Sequence, residues 1–307
     1  MCVRKKLREL LAKPGLTLIP GAYDALSARI IEAQGFEAVM AGGYAAIGSM
    51  LAQPDTGQSN MRDYADHYAR ICAAVEVPVY VDGDTGFGGV NNARQMVRAF
   101  EAAGVAGFFV SDQTFPNRCG YLPGKQVVPV EEMLAKIKAM LDARRDGDLV
   151  ICARTDAAAV VGLDAAIERS RLYIEAGADM AKPMGADTIA DIKRVLREVP
   201  GPHMATISQA AGGKPRDLGE LEAAGVAAAT FPSLALFAAA QAVRHAVGFL
   251  KRERSLAGLG ASIIPLPDYY ELVGLKAQLA REESYDRAAA ELMREVGSTA
   301  ASTAPHP

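Results

Sequence analysis

The sequence predicts an α/β chain built as one (β/α)8 TIM barrel, and three observations carry that prediction. First, a helical stretch that closes on Glu-Ala and a glycine, then runs straight into a short apolar segment, recurs four times. It reads IEAQGFEAVMAG (31–42), FEAAGVAGFFVSD (100–112), YIEAGADMAKPM (173–184) and LEAAGVAAATFP (221–232). Second, further apolar segments lie between these phrases: LTLIPG (16–21), VPVYVDGD (77–84), LVICARTD (149–156) and HMATIS (203–208). Third, eight strand–helix units within about 250 residues have the size and order of such a barrel.

The elements follow in order. Strands are expected near residues 16, 37, 78, 106, 149, 179, 204 and 227, each apolar on both faces, as parallel strands covered by helices should be. Glycine ends the preceding helix because it adopts the left-handed cap conformation freely. Intervening segments such as NNARQMVRAFEAAG (91–104) and DAAIERSRLYIEAG (164–177) carry helical periodicity. An open doubly wound sheet would commonly place GxGxxG after its first strand, where this chain has GAYDAL (21–26). The eighth helix covers 235–254, which sets the barrel domain at 1–254. ASIIPLPD (261–268) and the helical stretch 269–296 then form a C-terminal arm, 255–296, whose spare apolar residues suggest contacts with another subunit. GSTAASTAPHP (297–307) has the composition of a disordered tail.

Composition narrows the function. The 307 residues are 50% hydrophobic, and 33 Lys and Arg against 36 Asp and Glu leave a formal charge of −3, which offers no footprint for nucleic acid or an anionic membrane. No apolar run approaches the roughly 20 residues of a membrane span, and the N-terminus lacks a secretory apolar region. Four scattered cysteines without a CxxC pair indicate neither a zinc site nor a disulfide framework, so a reduced cytoplasmic protein is expected. With only four histidines, carboxylates and one cysteine would carry most acid–base or metal chemistry.

Reacting groups of these barrels gather at the C-terminal ends of the strands. Strand 2 ends in AGGY (41–44), strand 3 in Asp82 and Asp84, strand 4 in Ser111-Asp112, and strand 5 in Arg154 and Asp156. Residues i and i+2 of a strand share a face, so Asp82 and Asp84 project together. They are either half of a Mg2+ or Mn2+ site or a turn with solvated acids. Arg154 is placed to clamp a substrate carboxylate. The stretch DQTFPNRCGYLPGKQVVPVEEM (112–133) is too long for an ordinary barrel loop and reads as a lid. Within it Cys119, beside Arg118 and near Lys125, is either a reactive thiol or an incidental one. Cys152 reads as barrel core. AAGGKP (210–215) is either a phosphate cradle or a plain loop.

GAYDALSARI, the Asp-x-Asp-Thr-Gly-Phe-Gly strand end, DQTFPNRCGYLPGK and ARTDA together resemble the isocitrate lyase/phosphoenolpyruvate mutase superfamily, in register from about 7 to 254. The retained Cys119 and KQVVP (125–129) make the loop most similar to the methylisocitrate and 2,3-dimethylmalate lyase branch. The resemblance implies a barrel, Mg2+, a 2-oxo or 2-hydroxy acid substrate, and a homotetramer with exchanged C-terminal helices. It implies that Asp82 holds the metal directly, with Asp84 and Asp55 acting through water, and that Gly42 and Gly43 bind a substrate carboxylate by N–H. Cys119 would then be the acid, Arg154 would stabilise charge, and Tyr44 is the candidate base. The chain departs from the lyase pattern at Asn117, Tyr121, Ser111, Ala41, Pro183-Met184 and TISQAAGGK. The expected activity is Mg2+-dependent C–C cleavage of a substituted malate. The alternatives are P–C chemistry on a phosphonate and a binding homologue without catalysis.

Overall fold

The computed structural model describes residues 2–120, 122–186, 188–207 and 217–302. By packing, the chain divides into two units, Met1–Arg244 and His245–Pro307. The division falls within the helix after the eighth strand rather than at its end.

The first unit is an alternating α/β array with eight parallel strands: β1 (Thr17–Pro20), β2 (Val39–Ala41), β3 (Val79–Asp82), β4 (Gly107–Ser111), β5 (Val150–Thr155), β6 (Met180–Pro183), β7 (Met204–Thr206) and β8 (Ala228–Phe231). Each lies where the sequence places it. Ladders join β7 to β8, β8 to β1, and β2 through β6 consecutively. A parallel bridge from Gly21 to Met40 links β1 to β2, completing the strand order of a (β/α)8 barrel. Between β6 and β7 no ladder pair occurs among the described residues. The glycines that close the recurring helices, Gly35, Gly104, Gly177 and Gly225, all have φ between 85° and 109°, which explains their recurrence.

Strand alternation builds two apolar layers. Inward-facing Ile19, Met40, Tyr80, Phe109, Cys152, Met180, Met204 and Ala228 fill the barrel. Helix α1 (Val3–Ala12) closes one end, because Leu7, Leu10 and Leu11 recur at helical spacing and are buried in the same cluster. Outward-facing Val39, Val81, Phe108, Val110, Ile151 and Ala153 pack beneath the surrounding helices. In chain order the helices are α2 (Ala25–Ala33), α3 (Gly43–Leu51), α4 (Met61–Ala74), α5 (Val90–Ala102), α6 (Val130–Ala143) and α7 (Leu163–Glu175), which contribute to that layer, followed by α8 (Ile189–Glu198), α9 (Leu218–Ala224) and α10 (Leu234–Glu253). Full burial of each large apolar side chain contributes about 1.5–3 kcal/mol, so both layers hold the strand ends rigidly.

The arm comprises α11 (Leu266–Leu272) and α12 (Leu275–Ser302). Helix α12 runs through residues 297–302. Residues 303–307 lie outside the described residues, as do 208–216, which hold the AAGGKP stretch. No described helix is long and apolar enough to cross a membrane.

Candidate active site

The loop after β3 shows why VDGDTGFGG reads as it does. Asp82 ends β3, and its Oδ1 accepts a 2.8 Å hydrogen bond from the Asp84 backbone N–H. The chain then turns through positive φ at Asp84 (53°), Gly86 (81°), Phe87 (59°) and Gly88 (136°). Aspartate tolerates that conformation better than most residues, whereas phenylalanine does not. Phe87 is held there by ring contacts with Tyr64 and Phe100, at 5.4 and 6.5 Å.

Asp82 Oδ2 also accepts from the Gly43 N–H at 3.1 Å, at the first turn of α3. A Cβ on Gly43 would stand 2.8 Å from that oxygen, so the approach requires glycine. The Gly43 N–H expected to hold a substrate carboxylate is therefore engaged by Asp82. Gly42, Gly43 and Tyr44 nevertheless line the cavity, which meets the positive end of α3.

Asp55, Asp82 and Asp84 are all buried. Burial first, then neighbouring carboxylates, pushes Asp55 up to about 6 and Asp84 up to about 7. Burial also raises Asp82, opposed chiefly by Arg154 and by the N–H groups of Asp84 and Gly43. Three buried acids repelling one another call for a cation or protons. Among the described residues no three His, Cys, Asp or Glu side chains converge tightly enough to form an all-protein cage. The donor set instead fits a hard divalent ion held by one carboxylate, with others reached through water, as Mg2+ prefers.

Arg154, on β5, is less free than its sequence suggests. Its Nη2 donates to Asp156 Oδ1 at 2.9 Å, and Nε lies 2.8 Å from Oδ2 but makes no hydrogen bond. Asp156 also accepts from Ser111 Oγ at 3.1 Å, so Ser111 braces the acid that orients the guanidinium. Asp112 faces away, accepting from Tyr173 and Arg169 at 2.9 and 3.1 Å.

The long loop after β4 folds back on itself. Gln113 bridges to Val127, Thr114 N–H donates to Gln126 at 3.0 Å, and the Gln113 side chain exchanges hydrogen bonds with the Arg118 backbone. The Lys125 ammonium donates to the Gly120 carbonyl. Gly120 lies so close to Arg154 that a Cβ would stand 2.7 Å from Nη2, and a larger residue would displace the guanidinium. The loop thus presents Asn117 and Cys119 to the barrel. Asn117 is buried, and its Oδ1 has no hydrogen-bond partner among the described residues.

These segments enclose a cavity of about 60 Å³. It gathers Gly42, Gly43, Tyr44, Asp55, Asp82, Asn117, Cys119 and Arg154. Asp84 does not line it. Tyr121 lies outside the described residues. Met184, named as a departure, does line the cavity. Lys182 and Phe109 also line it and were missed by sequence reasoning. The signal for Lys182 was a lysine two residues after Met180 in an otherwise apolar strand. Cys152 is barrel core, its thiol pushed up to about 11 by burial. Cys72 is likewise pushed up to about 12, so neither is a ready nucleophile.

Acidic strand ends around a lidded cavity define an enzyme-type barrel site, and comparison with known proteins agrees. Residues 7–251 match the family described as phosphoenolpyruvate phosphomutase. The chain is 36% identical over 282 residues to 2,3-dimethylmalate lyase of Eubacterium barkeri, covering 91% of this chain and 97% of the relative. Among solved structures, oxaloacetate acetylhydrolase with 3,3-difluorooxalacetate aligns with a TM-score of 0.87 at 29% identity, over 93% of this chain and 97% of the other. Phosphonopyruvate hydrolase with oxalate and Mg2+ aligns with a TM-score of 0.83 at 28% identity, over 93% and 99%. The chain belongs to the phosphoenolpyruvate mutase/isocitrate lyase superfamily.

Proposed function

We propose that this protein is a Mg2+-dependent carbon–carbon lyase that cleaves a substituted malate-like 2-hydroxy acid into a 2-oxo acid and a carboxylate. The observation that carries this reading is the single cavity joining Asp82 and Asp55 to Arg154, Asn117 and Cys119. The lyase and acetylhydrolase relatives support it, as does the Mg2+ and oxalate bound to phosphonopyruvate hydrolase.

Asp82 would hold the ion directly, and Asp55 and Asp84 would act through water. When bound, such an ion would supply Lewis-acid polarisation of a substrate oxygen. Tyr44, at the first turn of α3, is the candidate base: its phenolate would take the 2-hydroxyl proton and become the neutral phenol. As the C2–C3 bond breaks, C2 becomes the carbonyl of the 2-oxo acid and the bonding pair passes to the departing carbanion. The Arg154 guanidinium, fixed by Asp156, stabilises that negative charge. Cys119 then delivers its proton to the carbanion carbon beneath the folded lid. Asn117 Oδ1 accepts a hydrogen bond from the substrate, satisfying an acceptor with no partner among the described residues.

Incubation with substituted malates, oxaloacetate and phosphonopyruvate in the presence of Mg2+, scored for 2-oxo acid and phosphate, tests this. Release of 2-oxo acid from a malate derivative, without phosphate from phosphonopyruvate, is expected. Phosphate release would instead select P–C chemistry, a reading favoured by the likeness to phosphonopyruvate hydrolase and by Asn117, where the lyase pattern has lysine. No turnover with any member would leave a binding protein on a lyase scaffold.

The proposal extends to assembly. Exposed Leu234, Val243, Val247 and Leu250 on α10, and Leu266, Leu279, Tyr285 and Leu292 on α11 and α12, favour a homotetramer built through these helices. Light scattering should give four times the 32.4 kDa chain mass, and a monomeric mass would refute it.

A further inference from the structure

Two lysines are buried among the described residues, and they differ in one respect. Lys136 is satisfied: its Nζ lies 3.1 Å from Glu132 and donates to the Thr85 carbonyl at 3.4 Å. Lys182, 4% exposed, has no ion pair and no hydrogen bond among the described residues. It sits on β6, opposite Arg154 in the β5–β6 register, and lines the cavity with Asp82, Gly42, Asn117 and Cys119. Its Nζ stands 5.0 Å from the Phe109 ring centroid, and the Arg154 guanidinium lies 5.7 Å from the same ring. One aromatic ring thus lies near two cations. Asp156 pairs with Arg154 at 2.8 Å, whereas Lys182 forms no such pair among the described residues and feels Asp82 and Asp156 only from farther away.

An ammonium left unpaired in a buried site is costly, and the ready relief is loss of its proton. Burial, aided by Arg154 and opposed by Cys152, Asp82 and Asp156, brings Lys182 down to about 8. A desolvated amine beside another cation is the environment that makes lysine a nucleophile toward carbonyl compounds. The carbonyl compounds suited to this cavity are 2-oxo acids, the one point at which the inference rests on the proposed function. We infer that Lys182 forms an imine with the C2 carbonyl of a bound 2-oxo acid, giving the protein a covalent, metal-independent reaction with that class of ligand.

The step balances without another reactant. Nζ adds to C2, and the carbonyl π pair passes to oxygen. The resulting carbinolamine then expels that oxygen as water. The two Nζ protons leave with it overall, and a C2=N double bond replaces C2=O. Protonated, the imine makes C2 more electrophilic and the C3–H bonds of the bound acid more acidic, a reaction separate from the C2–C3 cleavage proposed above.

The test is reductive trapping of the full chain with pyruvate and cyanoborohydride, in EDTA, followed by intact mass and peptide mapping. Expected is one reduced pyruvyl group per chain, on the peptide carrying Lys182. Lys182→Met and Lys182→Arg should both lose that adduct while keeping a cooperative thermal transition. The arginine variant retains the positive charge, and it separates imine chemistry from simple charge pairing. The inference is overturned if no adduct forms. It is also overturned if the label persists on other lysines of Lys182→Arg at the parent's yield. A site-specific adduct without cleavage of any malate would uphold the imine and sink the lyase reading; cleavage without an adduct would do the reverse.

Discussion

Asp82→Ala is expected to abolish Mg2+ binding and to lower turnover by about 10³-fold or more, since a metal's Lewis-acid contribution amounts to several kcal/mol and each 1.36 kcal/mol is a factor of ten. The alanine variant also strands the N–H groups of Gly43 and Asp84, which Asp82 accepts. Asp82→Asn separates charge from structure, because the amide oxygen keeps one acceptor in place while the anion is lost. Both variants should lose Mg2+ binding by calorimetry, and only the alanine variant should lose much stability. Asp84→Asn, compatible with the left-handed backbone at that position, should weaken binding by about 10–100-fold, the usual effect of an outer-sphere partner. Unchanged Mg2+ affinity in Asp82→Asn would return Asp82 and Asp84 to the role of turn-forming residues.

The same carboxylates set the pH dependence of the metal-free protein. Asp55 and Asp84 are raised from 3.8 to about 6 and about 7, so the folded state binds more protons than the unfolded one between those limits. Their contribution is fully present below the unfolded value and is lost as pH rises through the folded values. In EDTA, Tm should therefore fall between about pH 4 and 8, and added Mg2+ should recover most of the loss near neutrality. A flat profile in EDTA, or a Tm indifferent to Mg2+, would contradict this account.

Barrel order was legible because each strand–helix unit repeats one local solution, and the positive φ of Gly35, Gly104, Gly177 and Gly225 shows what the repeated glycine does. Asp82 and Asp84 were legible from strand alternation and adjacent glycines. Alternation also contained the Arg154–Asp156 pair, two residues apart on one strand, although it could not say whether the arginine would be occupied by that acid. Gly43 was read as a donor to substrate, but its donor capacity depends on how closely α3 approaches β3, a matter of packing. Lys182 was hidden for a similar reason. Its inward direction follows from Met180, but its lack of an anionic partner emerges only when all neighbouring strand ends are placed together.

Cys119→Ser is expected to lower kcat by about 10²–10⁴-fold, the usual consequence of losing a general acid. Serine nearly preserves size, but its hydroxyl is a far weaker acid than a thiol, whose ordinary pKa is about 8.5. KM should change little, because Arg154 and Asn117 remain in the cavity. Mg2+ affinity should survive, since Asp82 ends a buried strand whereas Cys119 rides on the loop after β4. That loop is closed through the Gln113–Val127 bridge and the Gln113–Arg118 hydrogen bonds, so Cys119 reaches the cavity only while the fold-back persists. Alkylation should therefore inactivate the enzyme, and bound product should slow it by favouring the closed loop. The effect should fall on carbanion protonation rather than on C–C cleavage, so 2-oxo acid should appear in a single-turnover burst while carboxylate product lags. A fully active Cys119→Ser would remove the thiol from the chemistry and shift weight to P–C cleavage. Equal slowing of both products, without a burst, would place Cys119 in lid positioning rather than in proton transfer.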